Sequence, residues 1–430
     1  MITKIEARNY RCLAHVSQGL GNFHIITGPN GSGKSTFLEV PQVMAAFAAG
    51  GLEDVWDKTR TRSMGEILFQ GKGTYFDLAV EARIPDAVRS LHINGKSSAY
   101  SHVRYEVRLG LGEEKDDPLD WEPRILAENL WLFSPNGDAA AQGEQQRGKF
   151  PDDVWLPDLG PMSQIIHRQA PSGKWKRTAS KSKNQNSNFT AETTGYNLQI
   201  KNPASKSALS TLPEDEVRFP LSNWFKTELA EHVQKILLNA ESMMLPSSPL
   251  KGRRFAVDGS NLPQVVRELK KDTPSWTGWL EHLRTILPIE DIEVIERDED
   301  KTLYLKVKYK SGHEVKSWHL SDGTLRLLAL TLLAYIPDEG SIYLIEEPEN
   351  GVHPQAIEAL YQSLSALTEG QVLLATHSPV LVAQATPAQL LCFAKCNDAT
   401  DIVRGDLHPK LKNWKSSVNL AQLYAAGILS

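Results

Sequence analysis

The sequence predicts an α/β fold, a parallel sheet covered by helices on both faces, with a mixed α+β insertion between its two ends. Three observations predict it. The short apolar run Phe23 to Thr27 leads through a glycine-rich loop into helix formers from Thr36 to Ala49, which stop at Gly50-Gly51. The runs Ile342 to Ile345 and Val372 to Ala375 are short and fully apolar, the signature of strands buried on both faces of a parallel sheet. The helical stretch between them begins at Pro354 and ends at Gly370, as start and stop signals require.

The remaining elements follow in order. Ile2 to Tyr10 alternates like a strand, as do Tyr75 to Arg83, Ser101 to Leu111 and Arg124 to Phe133. Residues 136–210 are rich in Ser, Asn, Gly, Gln and Lys without sustained periodicity, which predicts long loops with short strands. Helices are predicted over Trp224 to Met244, Leu262 to Lys271 and Trp276 to Leu287, and strands again over 292–318. No repeat or heptad run is present, which argues against a long coiled-coil arm. A chain of 430 residues is too long for one ordinary core, so two or three lobes are expected.

A hydrophobic content of 41% with 23% charged residues excludes wholesale disorder. The net charge of −5 excludes a polycation built to coat nucleic acid, so any such contact requires a local basic patch. The three cysteines, Cys12, Cys392 and Cys396, exclude a disulfide scaffold and point to a reducing, cytoplasmic setting. Cys392 and Cys396 could supply half a metal site, but no His or Cys pair at ligand spacing completes it; free thiols are the alternative. The most apolar run, Leu325 to Ile336, is about twelve residues where a membrane span needs about twenty. The opening residues read as a strand rather than a secretory signal.

The strongest chemical signal is Gly28-Pro29-Asn30-Gly31-Ser32-Gly33-Lys34-Ser35, followed by Thr36. It matches G-x-x-x-x-G-K-[ST] between a strand and a helix, the context that confirms a phosphate-binding loop. Glycines let the backbone wrap phosphates, and the helix N-terminus adds positive potential. Lys34 is placed to reach the outer phosphates of ATP and Ser35 to bind Mg²⁺. The strand Ile342-Tyr343-Leu344-Ile345 ends in Glu346-Glu347, with Glu346 placed for the Mg²⁺ shell and Glu347 for the attacking water. Alone, such a pair is also a common solvated strand cap. Leu320-Ser321-Asp322-Gly323-Thr324 precedes a helix and, by itself, is equally an ordinary capped start. Thr376-His377-Ser378 closes the last apolar strand, a position where a histidine is often merely structural.

Taken together, the four motifs resemble the ATPase heads of the ABC superfamily. Ser321 to Thr324 resemble the signature loop, Glu346-Glu347 the Walker B pair, Glu349-Asn350-Gly351 the D-loop and His377 the switch histidine. Ile5 to Arg11 is similar to the first strand of RecF- and SMC-like ATPases. Glu346 to Pro354, Asp258 to Leu262 and Thr376 to Pro379 resemble OLD-type "AAA family" bacterial ATPases. The likeness covers roughly 1–50 and 255–390. It implies a P-loop NTPase head assembled from residues 1–84 and 291–430, with an insertion at 85–290 carrying a partner or nucleic-acid surface. Asp322 and Thr324 in the signature, and glutamate at 346, depart from transporter heads. Gln70 and Gln164 are both candidates for the Q-loop glutamine. About 50 residues follow Val380 and lack the acidic cluster of a Toprim nuclease, so a nuclease, where one is involved, is expected as a separate protein.

The resemblance also implies a mechanism. Such heads form homodimers or larger homo-oligomers head-to-tail, with ATP on one P-loop meeting Ser321 and Gly323 of the other subunit. His377 would contact the same phosphate, and Arg11 would approach the nucleotide unless it is a plain surface arginine. The favoured expectation is an ATP-hydrolysing sensor or scaffold in bacterial anti-phage defence, acting with a separate effector. A RecF/SMC-like DNA repair ATPase and a slow, nucleotide-gated structural oligomer are the alternatives. Between Leu159 and Ala191 there is no acidic residue, while Arg168, Lys174, Lys176, Arg177, Lys181 and Lys183 surround Trp175. This 168–183 segment is either a nucleic-acid contact or a solvated loop. Lys251, Arg253 and Arg254 form a smaller cluster, expected to be a salt-bridged turn.

Overall fold

A computed structural model of the chain describes residues 1–59, 63–90, 99–111, 123–135, 147–152, 165–171, 173–182, 186–252, 254–337, 340–368, 370–412 and 420–429. Two large sheets organise it. The central sheet has strand order β10 (Val233–Ile236), β14 (Ile342–Glu346), β15 (Gln371–Ala375), β3 (Phe23–Thr27), β16 (Leu390–Cys396), β17 (Ala399–Arg404). All its neighbours pair in parallel except β16 with β17, a hairpin. The fully apolar runs therefore lie side by side at its centre, as their composition requires.

The second sheet is antiparallel, in the order β2 (Leu13–Gly19), β1 (Ile2–Tyr10), β4 (Tyr75–Arg83), β5 (His102–Leu111), β6 (Pro123–Ser134), β7 (Lys174–Lys181), β8 (Asn186–Thr190), β9 (Asn197–Lys201). It runs without a break from the first strands of the chain into the middle segment. A small third sheet joins β11 (Ile289–Glu296), β12 (Leu303–Tyr309) and β13 (Glu314–Lys316). No helix among the described residues is long and apolar enough to cross a membrane.

Helix Lys34–Ala49 lies in the first core cluster, where Phe37, Leu38, Val40, Val43, Met44 and Phe47 are buried with Ile5 and Ala7 of β1 and Leu78 and Val80 of β4. Its apolar residues fall on nearly every side, which suits a helix buried all round. The second cluster is built on the signature helix Asp322–Leu332 and helix Pro354–Ser365, with Tyr343, Ile345, Val372 and Leu374 of the central strands.

The antiparallel sheet alternates strictly at β5. Val103, Tyr105, Val107 and Leu109 enter the first core, whereas Arg104, Glu106 and Arg108 take the other face. Arg104 is 3% exposed and pairs with Glu6, Glu81 and Glu106. Ile165 and His167 cover the network: Arg104 donates to Ile165 O, and the His167 ring meets Glu106. Burial pushes the Glu6 carboxyl up, but Arg104 and Lys4 outweigh it and hold it far below the usual range. Burial likewise opposes ionisation of Glu106, and hydrogen bonding from His167 together with Arg104 again depresses its pKa.

One element differs from the sequence expectation. Trp224 to Met244 is not a single helix: helix Pro220–His232 gives way to strand β10, and a short helix, Ala240–Met244, follows. Val233 to Ile236 pair in parallel with Ile342 to Ile345, so a vacant sheet edge overrides helix propensity. Strand β2 and the β16–β17 hairpin, neither of which stood out by periodicity, complete the two sheets.

Candidate active site

At the end of β3 the chain turns through Gly28, Gly31 and Gly33 with φ of 152°, 73° and 99°, a region that favours glycine. At Gly33 the neighbours demand glycine too, since an added Cβ would lie 2.1 Å from Thr400 Oγ1. Thr400, on β17, pins the loop: its hydroxyl donates to Ser32 O at 2.9 Å and its N–H to Cys12 O at 2.9 Å. The Lys34 ammonium donates to Gly28 O at 2.8 Å and Pro29 O at 2.9 Å. Burial lowers the pKa of Lys34, and Glu347 and Glu346 oppose that shift without cancelling it.

The carboxylates come from the end of β14, two strands from β3. Ser35 Oγ donates to Glu346 Oε2 at 3.0 Å, and Lys235 Nζ lies 2.8 Å from Glu346 Oε1. Lys235 sits on β10 and was missed by sequence reasoning, because a four-residue edge strand offers too little alternation to separate it from the helix before it. Glu347 has a left-handed backbone, φ 48°, and its side chain accepts from Asn350 Nδ2 at 2.6 Å. Strain of this kind, about 1–3 kcal/mol, persists only where the surroundings enforce it. Glu349 accepts from Thr376 Oγ1 at 2.6 Å and from the His377 N–H at 3.1 Å, which ties the acidic loop to the histidine turn.

These groups surround a cavity of about 690 Å³, within the range of small-molecule sites. Asn30, Gly31, Gly33, Lys34, Ser35, Thr36, Glu346, Glu347 and His377 line it, and so do Arg11 and Gln70. Arg11 occupies the β1–β2 turn with φ 50° and pairs with Glu39 at 3.0 Å. Gln70 also has a left-handed backbone, φ 53°; Gln164 lies outside the described residues. Gly28, Pro29 and Ser32 form the loop behind the lining residues.

Ser321 and Gly323 are not in this cavity. Ser321 caps the signature helix, accepting from the Thr324 N–H at 3.2 Å. Gly323 abuts the acidic loop, and a Cβ there would stand 2.3 Å from Gly351 O. Gly323→Ala is therefore expected to destabilise the protein by about 1–3 kcal/mol, the usual range for overpacking, because a backbone oxygen cannot swing aside. Thermal unfolding checks it, and an unchanged midpoint would show that the loop yields freely.

The donor set fits ATP with Mg²⁺. The loop glycines allow close backbone approach, Lys34 can exchange two carbonyls for phosphate oxygens, and Ser35 with Glu346 offers adjacent oxygens suited to a hard cation.

The basic segment is less open than its composition implied. Lys176 donates to Ala191 O and Glu192 O, and Lys181 to Pro203 O and Lys206 O. Trp175 stacks on Phe133 with ring centroids 4.2 Å apart. Of the described cations in the segment, Arg168, Lys174 and Arg177 are the ones left exposed. Lys183 and Arg253 lie outside the described residues. Cys392 is buried in β16, which pushes its thiol up to about 12.

The fold and this constellation define a P-loop ATPase head of the ABC/SMC and OLD-like class. The chain belongs to the family described as "AAA domain, putative AbiEii toxin, Type IV TA system", whose profile matches residues 164–383, just over half of it. It is 28% identical over 116 residues to Protein ea59 of Escherichia phage lambda, covering 26% of this chain and 22% of that protein. It is 28% identical over 181 residues to the Old nuclease of Escherichia phage P2, covering 39% of this chain and 28% of that one. The matches thus span about a quarter of each curated relative. Among solved structures, an SMC head bound to the C-winged helix domain of ScpA shares the fold, with a TM-score of 0.52 at 13% identity. That match covers 94% of this chain and 97% of the other.

Proposed function

We propose that the chain binds and hydrolyses ATP with Mg²⁺ at this cavity, and that ATP joins two or more copies through composite sites. The observation that carries this reading is the split of the motif set. Lys34, Ser35, Glu346, Glu347 and His377 converge on one cavity, while Ser321 caps, and Gly323 lies in the first turn of, a helix outside it. A second copy would bring its Ser321 hydroxyl and helix N-terminus to the outer phosphate. Lys34 would neutralise phosphate charge, Glu347 would orient and deprotonate water, and His377 would hold the terminal phosphate. Mg²⁺, held by Ser35 and Glu346, would supply charge stabilisation for the leaving phosphates.

In this reading residues 85–290 form the insertion that meets a partner, and the ATPase acts as sensor or scaffold for a separate effector, a nuclease, in defence against phage. The family description and the similarity to the Old nuclease support that role. The test is mass photometry of Glu347→Gln with and without ATP and Mg²⁺. A shift to a dimer or larger assembly that Lys34→Ala abolishes is expected. A protein that stays monomeric with ATP bound would sink the composite-site mechanism.

A further inference from the structure

The β16–β17 hairpin is not accounted for by the phosphate-binding motifs, yet its turn reaches the same cavity. Lys395 and Asp398 line it together with Arg11 and Cys12. Sheet order shows which part of a ligand they would meet. β3 lies between β15 and β16, and the groups that would engage the terminal phosphate, Ser35, Glu346, Glu347 and His377, gather on the β14–β15 side. A nucleoside triphosphate lying across the carboxyl end of β3 with its outer phosphate there must lead its nucleoside toward β16 and β17.

The hairpin is tall enough to receive it. The last pair between β16 and β3 is Cys392 with Thr27, and β16 continues through Cys396, roughly 13 Å further at about 3.3 Å per residue. Its two-residue turn is rigid: Asn397 and Asp398 have φ of 49° and 67°, the pattern of a type I′ turn. Thr400, which pairs with Lys395 one step from the turn, fastens the hairpin to the P-loop, so the turn keeps a fixed position beside it. Lys395 Nζ lies 3.0 Å from Asp398 Oδ1, with side chains 51% and 68% exposed. A pair so exposed contributes little to stability, which leaves its place at the cavity mouth without a structural purpose.

We propose that the β16–β17 turn is the nucleoside subsite of the ATP site. Asp398 accepts hydrogen bonds from the hydroxyl and amino donors of the nucleoside, and Lys395 donates to its ring nitrogens. This inference rests on the ATP reading above and adds the residues that recognise what the phosphates do not.

Calorimetry with two probes in Mg²⁺, β,γ-imido-ATP and inorganic tripolyphosphate, tests it on the full chain. Lys395→Ala/Asp398→Ala is expected to weaken imido-ATP binding about tenfold and to leave tripolyphosphate binding within twofold. Equal binding of imido-ATP by variant and wild type would overturn the proposal. So would equal losses for both probes, which would make the turn a support of the phosphate loop. Asp398→Asn, which keeps the turn's shape, repeats the comparison at about threefold if the double variant does not fold. If the wild type binds neither probe, the ATP reading itself fails and takes this subsite with it; binding of tripolyphosphate alone would retain the phosphate site and reject the nucleoside one.

Discussion

Glu347→Gln is expected to slow steady-state phosphate release by about 10²–10⁴-fold, the span usually removed with a general base, while ATP binding persists. The reasoning is local. Glu347 stands at the cavity beside Lys34 and Glu346, with one carboxylate oxygen taken by Asn350. Glutamine has the same shape, meets the same left-handed backbone and can still accept from Asn350 through its amide oxygen, so fold and ligand binding have no reason to change. What it lacks is the capacity to take a proton from water. Turnover within tenfold of the wild type would show that another group activates the water. Loss of ATP binding would show that Glu347 holds the site's architecture instead.

Arg104→Met should have the largest effect on stability. Three carboxylates, those of Glu6, Glu81 and Glu106, share this one guanidinium, and Glu6 and Glu106 have pKa values depressed despite burial. Removing one partner of a buried charge network costs about 3–5 kcal/mol, because the charges left behind are uncompensated. The pH dependence separates this cause from lost packing. In the wild type the depressed carboxylates contribute stability above their unfolded value of about 4.3 and lose it as pH falls through the folded values. In the variant Lys4 alone opposes burial at Glu6 and His167 at Glu106, so the folded pKa values move up toward the unfolded ones, and the stability deficit relative to the wild type narrows as pH falls toward 5. Urea melts at pH 7.5 and 5 should therefore move in that direction for Arg104→Met. A variant as stable as the wild type at both values would mean that water already solvates these carboxylates.

The parts of the site legible in the sequence are contiguous. The phosphate loop, Glu346-Glu347 and the histidine turn each sit at the end of a fully apolar strand, so one short window carries both the chemistry and its position. The strands Tyr75–Arg83 and Ile2–Tyr10 were equally plain, since apolar and polar side chains alternate along them. What stayed hidden depends on distant partners. Lys235 reaches Glu346 only because β10 finds the free edge of β14, and nothing within Trp224 to Met244 announces that edge. Nothing in the sequence places Gln70; only the turn after helix Met64–Ile67 brings it to the cavity, while Gln164 lies outside the described residues. Counting cations between 159 and 191 could not show that Lys176 and Lys181 point at backbone carbonyls. The turn at Lys395 to Asp398 carries no motif at all; its meaning comes from where sheet order leaves it.

The arrangement of the central sheet also governs how the protein is born. β3 acquires both its neighbours, β15 and β16, only after some 340 intervening residues have been made. At about 5–20 residues per second, translation leaves the phosphate loop without a sheet for roughly 17–70 s. For most of that interval a nascent chain holds the phosphate loop and its lysine but neither the acidic pair nor the histidine, the residues that the proposed hydrolysis requires. In the ATP reading, nucleotide would become a ligand, and a source of stability through mass action, only after β16 has been made.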